Sequence, residues 1–244
     1  MLPDLTQSSL LVAPQLLGLI LRRTLEGTGE VLEGRIVEVE AYLGEIDRAA
    51  HSYRRHRSAR NESMYGRAGL AYVYFTYGMH HCINIVCAHE NTPQAVLLRA
   101  LEPISGLEAM QKARKRSNRG PKRAQARWHD HELCAGPGRI CQAMRINRVH
   151  DGVDLLDPCA PIRLIAPGAI DNLGKDGKLG QRIMVGPRIG IDTAGEPWRD
   201  RPLRFWLADC RSVSKSRAAG VIWRPKTTIP AWARQKQPAV VPAV

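Results

Sequence analysis

Residues 70–77 (LAYVYFTY) and 79–86 (MHHCINIV) are two runs rich in β-branched and aromatic residues, separated by one glycine, Gly78. So short a break leaves no room for the crossover that parallel strands need, so the two runs make an antiparallel hairpin with Tyr77 at its tip. A sheet must be built around it. The run 31–42 (VLEGRIVEVEAY) reads as a further strand, and alternation places Val37, Val39 and Ala41 on one face and Glu38, Glu40 and Tyr42 on the other. Residues 95–101 (AVLLRAL) are an apolar strand interrupted by one charge, Arg99. A buried arginine needs an anionic or carbonyl partner, which makes Glu40 a candidate mate for it. Short runs at 182–185 (RIMV), 188–191 (RIGI) and 203–207 (LRFWL) read as later strands.

Helices are fewer. Residues 13–19 suggest one with Pro14 in its first turn, followed by a strand through Arg23. Ser105 and Glu108 have the spacing of a capping box, opening a helix through about Arg116. Gly136-Pro137-Gly138-Arg139 reads as a helix N-terminus, whose free N–H groups suit a phosphate. Without a repeat or long linker, the chain is expected to hold one domain over residues 1–212. Residues 213–244 form a C-terminal extension whose end, QKQPAVVPAV, has the composition of a loose tail.

Charge is distributed unevenly. The chain carries 36 Lys plus Arg against 23 Asp plus Glu, a formal +13, yet residues 1–47 hold 3 basic and 8 acidic side chains. The excess therefore belongs to the remainder, which suits a polyanionic partner. Eight Lys or Arg and no acid fall between Ala109 and His129, among them Lys112, Lys115, Lys122 and Arg123. Aromatic residues are also segregated, with all six tyrosines between Tyr42 and Tyr77 and all five tryptophans from Trp128 onward.

Other chemistries lack their residues. There is no G-x-G-x-x-G after a strand, no Walker loop, no H-E-x-x-H and no G-x-S-x-G. His80 and His81 are adjacent on one strand, so their rings point to opposite faces and do not share a metal. Six cysteines show neither a C-x-x-C pair nor zinc-type spacing and read as reduced core residues. The apolar run at 10–21 is broken by Pro14 and Gln15 and is too short to span a bilayer. A cytoplasmic protein is expected, associated with the nucleoid if bacterial.

GRIVEVEAYLG, then DRAAHS, Arg60-Asn61, YVYFTYGMHHCINIV, LLRALEP, CAGPGRICQA and RIGI follow one another in this chain. Their order and content, over about residues 12–207, resemble the alkyladenine (3-methyladenine) DNA glycosylases. The resemblance implies a mixed α/β (α+β) fold: a single compact domain with a curved antiparallel sheet, a protruding β-hairpin and surrounding helices. It also implies a monofunctional, monomeric DNA N-glycosylase without metal or organic cofactor. Such an enzyme flips alkylated or deaminated purines, hypoxanthine among them, out of double-stranded DNA. It leaves an abasic site for downstream enzymes of base excision repair.

By the same resemblance Glu40 activates water, and Arg99 and the backbone carbonyl of Ile189 help to hold it. Tyr42, His51 and Tyr74 enclose the flipped base, and Asn84 lines the pocket floor and helps reject guanine. Tyr77 is the wedge that enters the minor groove. Arg60, Lys112, Lys115, Lys122, Arg123 and Arg139 are candidates for contacts to the DNA backbone. His80 and His81 stand where some relatives have aromatic rings. The competing reading is a non-catalytic nucleic-acid-binding protein of the same fold; a metal-dependent nuclease would need a carboxylate cluster that the sequence does not display.

Overall fold

The computed structural model describes residues 1–117, 128–167, 182–215, 219–225 and 230–233. Lys122, Arg123 and the tail from residue 234 lie outside them. Among the described residues are three α-helices and nine strands: α1 (Ser9–Leu16), β1 (Ile20–Thr24), β2 (Val31–Tyr42), β3 (Ala71–Thr76), β4 (His80–Cys87), β5 (Gln94–Ser105), α2 (Leu107–Ser117), α3 (Pro137–Ala143), β6 (Ile162–Ile165), β7 (Ile183–Gly186), β8 (Arg204–Leu207) and β9 (Val221–Ile222). The strands form one antiparallel sheet in the order β3-β4-β5-β2-β8-β7-β9, with β1 pairing to β2 and β6. The mixed α/β class and the antiparallel sheet are as the sequence suggests.

The hairpin forms as expected. The turn is closed by a bond from the Met79 N–H to the Thr76 carbonyl, and Tyr77 and Gly78 both take positive φ, 50° and 65°. This is the turn geometry whose twist matches a hairpin. Tyr77 is 79% exposed, flanked by exposed Phe75 and Met79.

Helix α1 corrects the sequence reading. It begins at Ser9, and Pro14 lies inside it rather than in its first turn. Its start is set from far along the chain: Gln94 Oε1 accepts from the Ser9 backbone N–H and from the hydroxyls of Ser8 and Ser9. The helix ends two residues beyond Pro14, so the missing proline N–H interrupts only its last turn. The capping box at Ser105 does not form either. Ser105 remains in β5 with its hydroxyl directed at the Val31 carbonyl, and the Gly106 carbonyl accepts the first helical bond, from the Met110 N–H. Gly106 has φ +75°, and a Cβ there would lie 2.3 Å from Leu32 Cδ2, so the strand-to-helix break requires glycine. Residues 188–191 form no strand; they are a bend between β7 and β8.

The main core fills one face of the sheet. Ile36, Val39, Ala41, Ala71, Val73, Ile83, Ile85, Val96 and Leu98 pack there against Val12, Ala13 and Leu16 of α1, Ala109 and Met110 of α2, and Ile140, Cys141 and Ala143 of α3. Val37 is not with Val39 and Ala41, as simple alternation predicts, but in a separate cluster with Ala100 and Leu207. The register explains this. Ile36 pairs with Leu101 and Glu38 with Ala100, so Val37 is passed over; Val39 then pairs with Leu98, so Arg99 is passed over on β5. Two opposed irregularities cancel and restore the register beyond them. Bulges re-aim side chains near functional sites, and Arg99 occupies one.

Cysteine use is mixed. Cys82, Cys87, Cys134 and Cys141 are buried as expected of core residues, whereas Cys159 is exposed and Cys210 half-buried; all six are free thiols.

Candidate active site

The sheet face opposite the main core carries the chemistry. Tyr72 of β3 pairs with Asn84 of β4, Asn84 with Leu97 of β5, Leu97 with Glu40 of β2, and Glu40 with Arg204 of β8. Directly opposed residues of neighbouring strands share a face, so this row spans five strands on one side of the sheet. Tyr74 and Cys82 form the adjacent pair. Over the Tyr72, Asn84 and Leu97 part of the row lies a cavity of about 280 Å³, lined also by Tyr42, His51, Tyr74 and Arg99. It lies just below the roughly 300–1,000 Å³ common for small-molecule pockets, a size suited to one heterocycle.

Glu38 and Glu40 do not form a solvated side. Both are fully buried. Glu40 Oε2 accepts from the Tyr42 hydroxyl at 3.0 Å, Oε1 accepts from the Ile189 backbone N–H at 2.8 Å, and Arg99 Nη1 is 3.3 Å from Oε1. The pairing of Arg99 with Glu40 anticipated from sequence is therefore present. Burial and the Glu40 charge hold the Tyr42 phenol well above its ordinary range, so it stays protonated and donates.

The bend that replaces the expected strand at 188–191 is anchored by a buried ion pair. Arg188 donates to Asp47 at 2.6 and 2.9 Å, with both side chains fully enclosed, and to the Ala41 carbonyl at 3.0 Å. Its guanidinium carbon lies 4.5 Å from the centre of the Tyr42 ring. Asp47 also accepts from the backbone N–H groups of Leu43 and Ala49. Asp47 and Arg188 belong to the DRAAHS and RIGI stretches, but no spacing rule marks two residues 141 positions apart as partners.

Aromatic residues make the other walls. His51 and Tyr74 meet edge to face with ring centres 4.5 Å apart, Tyr72 stacks on Tyr74 at 5.3 Å, and His51 Nδ1 is 2.7 Å from the Tyr72 hydroxyl. Desolvation, with the charges of Arg60 and His56, lowers the His51 pKa to about 4, so its imidazole is neutral near pH 7. Asn84 is held rigid by a bond from its amide to the Tyr72 carbonyl at 3.0 Å. Sequence reasoning assigned no role to Tyr72, Cys82 or Leu97, which also line the cavity. Their signal lies in the cross-strand register.

The structure thus brings Glu40, Tyr42, His51, Tyr74, Asn84, Arg99 and Ile189 together, with Tyr77 at the rim. Arg60 lies on the exposed loop beside the hairpin and donates to the Phe75 carbonyl. Arg139 opens α3, next to the cavity-lining Pro137, with its guanidinium 5.8 Å from the Trp128 ring. Lys112 and Lys115 project from α2 into solvent. His80 and His81 face apart, as alternation requires: His80 contacts Gln142, while His81 packs on Phe75. No helix among the described residues is long and apolar enough to cross a membrane.

Comparison with known proteins agrees with this geometry. A family model described as methylpurine-DNA glycosylase (MPG) matches residues 4–211. A protein of Burkholderia lata is 44% identical over 189 residues, covering 77% of this chain and 80% of its own. One of Desulfitobacterium hafniense is 41% identical over 209 residues, covering 85% and 94%, and one of Methanocella arvoryzae is 44% identical over 211 residues, covering 86% and 92%. All three carry the name "Putative 3-methyladenine DNA glycosylase". The chain belongs to the methylpurine-DNA glycosylase family.

Proposed function

We propose that the chain is a monofunctional DNA N-glycosylase that extrudes an alkylated or deaminated purine from duplex DNA and hydrolyses its N-glycosidic bond. The observation that carries this reading is the buried Glu40 carboxylate, held by two hydrogen bonds and the Arg99 guanidinium directly behind Tyr42, Arg99 and Ile189, which line an aromatic cavity of one-base size. A base inside the duplex is out of reach, so extrusion comes first, at a cost of a few kcal/mol. Tyr77, exposed on its tight turn, is the group that fills the gap. The aromatic walls then hold the base by stacking, at roughly 1–3 kcal/mol per base, and cationic alkylpurines gain a further cation–π attraction. A neutral His51 does not repel such a cation.

Hydrolysis follows from Glu40. Its carboxylate takes a proton from a water molecule whose oxygen bonds to C1′, while the C1′–N bond breaks and its electron pair leaves with the purine. Arg99 and the Ile189 backbone orient that water. No lysine lines the cavity among the described residues, which favours water over an amine nucleophile and hence a monofunctional reaction. Arg60, Arg139, Lys112 and Lys115, with Lys122 and Arg123, supply sequence-independent grip on phosphates. The enzyme acts in the cytoplasm as a monomer, in a body made by residues 1–212 to which β9 (Val221–Ile222) adds at the sheet edge, and passes its abasic product to downstream repair enzymes.

The test is incubation with duplexes carrying hypoxanthine, ethenoadenine or 7-methylguanine, and with duplex methylated by dimethyl sulfate, scoring abasic sites by alkali cleavage. Lesion-dependent cleavage is expected. If folded protein cleaves none of them and binds damaged and intact duplex equally, the non-catalytic reading replaces this one.

A further inference from the structure

Strand β2 carries a second buried carboxylate, two residues before Glu40. Glu38 Oε1 accepts from Arg204 Nη1 at 3.0 Å and from the Ser214 hydroxyl at 2.9 Å, and Oε2 accepts from the Ser214 backbone N–H at 2.8 Å. Arg99 lies between the two glutamates: its Nε is 3.6 Å from Glu38 Oε1 and its Nη1 is 3.3 Å from Glu40 Oε1. The Nε–H is buried and makes no hydrogen bond, so the Glu38 contact is one of charge. The two carboxylates lie at similar distances from the guanidinium, so each attracts it to a similar degree. With the Glu38 charge removed, the guanidinium is drawn onto Glu40 alone, where it competes for the carboxylate that must receive the water proton.

We propose that Glu38 is a positioning residue, which holds Arg99 in a shared place between the two carboxylates, and that Ser214 keeps Glu38 fit for this role. Burial pushes the Glu38 carboxyl up, and the largest opposing influence is the pair of hydrogen bonds from Ser214, ahead of the charges of Arg99 and Arg204. Ser214 lies just past the residues matched by the family, 4–211, so the segment that follows the matched region contributes to the site. The inference rests on the reading of Glu40 as the base that activates water.

The experiment is single-turnover release of 3-methyladenine from duplex DNA methylated with dimethyl sulfate, with enzyme in saturating excess. Under these conditions the rate constant is independent of the fraction of protein folded, so a purely structural defect does not move it. Glu38→Gln is expected to slow release by about tenfold or more, within the loss that small misplacements cause, with affinity for the methylated duplex unchanged. Ser214→Ala is expected to slow release about threefold and Ser214→Thr to restore it, a small effect because the bond from the Ser214 backbone N–H to Glu38 survives and the loss reaches Glu40 only through Arg99. If Glu38→Gln does not fold, the Ser214 pair decides. Wild-type rates in the variants, with Glu40→Gln inactive, overturn the positioning role and leave the base assignment standing. Retained release by Glu40→Gln overturns the base assignment and this inference with it.

Discussion

The backbone N–H of Ile189 donates to Glu40 Oε1 at 2.8 Å across 149 residues of chain. This joins the strand that bears the carboxylate to a bend that the Asp47–Arg188 pair holds in place. The resemblance assigns a role to the Ile189 carbonyl, whereas the contact seen here is made by its N–H. The bend therefore orients the carboxylate itself.

Glu40→Gln keeps the size of the side chain and an acceptor for Ile189 but removes the base. A positioned general base contributes roughly 10²–10⁴-fold, and a loss of that order in single-turnover cleavage is expected, with binding of lesion DNA retained. Turnover within a few-fold of wild type would place the base elsewhere.

Tyr77 is 79% exposed at the hairpin tip. Its truncation therefore removes no core packing, and Tyr77→Ala should leave the thermal midpoint within a degree or two. Cleavage of a lesion paired in duplex should fall about tenfold or more, since the unstacking cost of a few kcal/mol loses its offset. Equal activity of variant and wild type on paired lesions would reduce Tyr77 to a surface residue.

Asp47 and Arg188 are both fully buried in their side chains. Breaking a buried pair from one side leaves an uncompensated charge, at a cost of about 3–5 kcal/mol. Asp47→Asn should lower the stability measured by urea unfolding by about 3 kcal/mol, toward the low end of that range, because the amide keeps one acceptor oxygen. It should also slow cleavage, because the bend carrying Ile189 loosens. A change below about 1 kcal/mol, the level of a surface pair, contradicts the anchoring role.

His51 has its pKa lowered to about 4 by desolvation and by Arg60 and His56. The sign follows from linkage. The unfolded chain takes up the proton near pH 6.5 and the folded one only near 4, so stability is full above 6.5 and declines as pH falls between those values. Because His51 is solvent-exposed as a residue, screening keeps that loss small. An NMR titration of the imidazole checks it directly: a midpoint below the ordinary 6.5, toward 4, is expected, and one at 6.5 would show that the Tyr72 contact does not persist.

Much of this was legible in the chain. Strand β2 spans the residues that alternation suggests, the hairpin turns at Gly78, and Glu40 and Tyr42 share a face because they are two residues apart on a strand. Periodicity and turn chemistry depend on near neighbours, and a sequence displays near neighbours. The same holds for the motif order that places the chain in its family.

What lay beyond it has a common cause. The start of α1 depends on Gln94, the break before α2 on Leu32 pressed against Gly106, the bend at Ile189 on Asp47, and the aim of Arg99 on two cancelling bulges. Each is settled by a partner that folding brings from elsewhere in the chain. The row Tyr72, Asn84, Leu97, Glu40, Arg204 is the clearest case. Local sequence determined that each of the row's four long strands would form and, away from the bulges at Val37 and Arg99, which side chains would share its faces. Only tertiary packing decided which strands are neighbours and in what register. A one-residue slip would move every one of a strand's side chains to the opposite face, and burial of the apolar face excludes it.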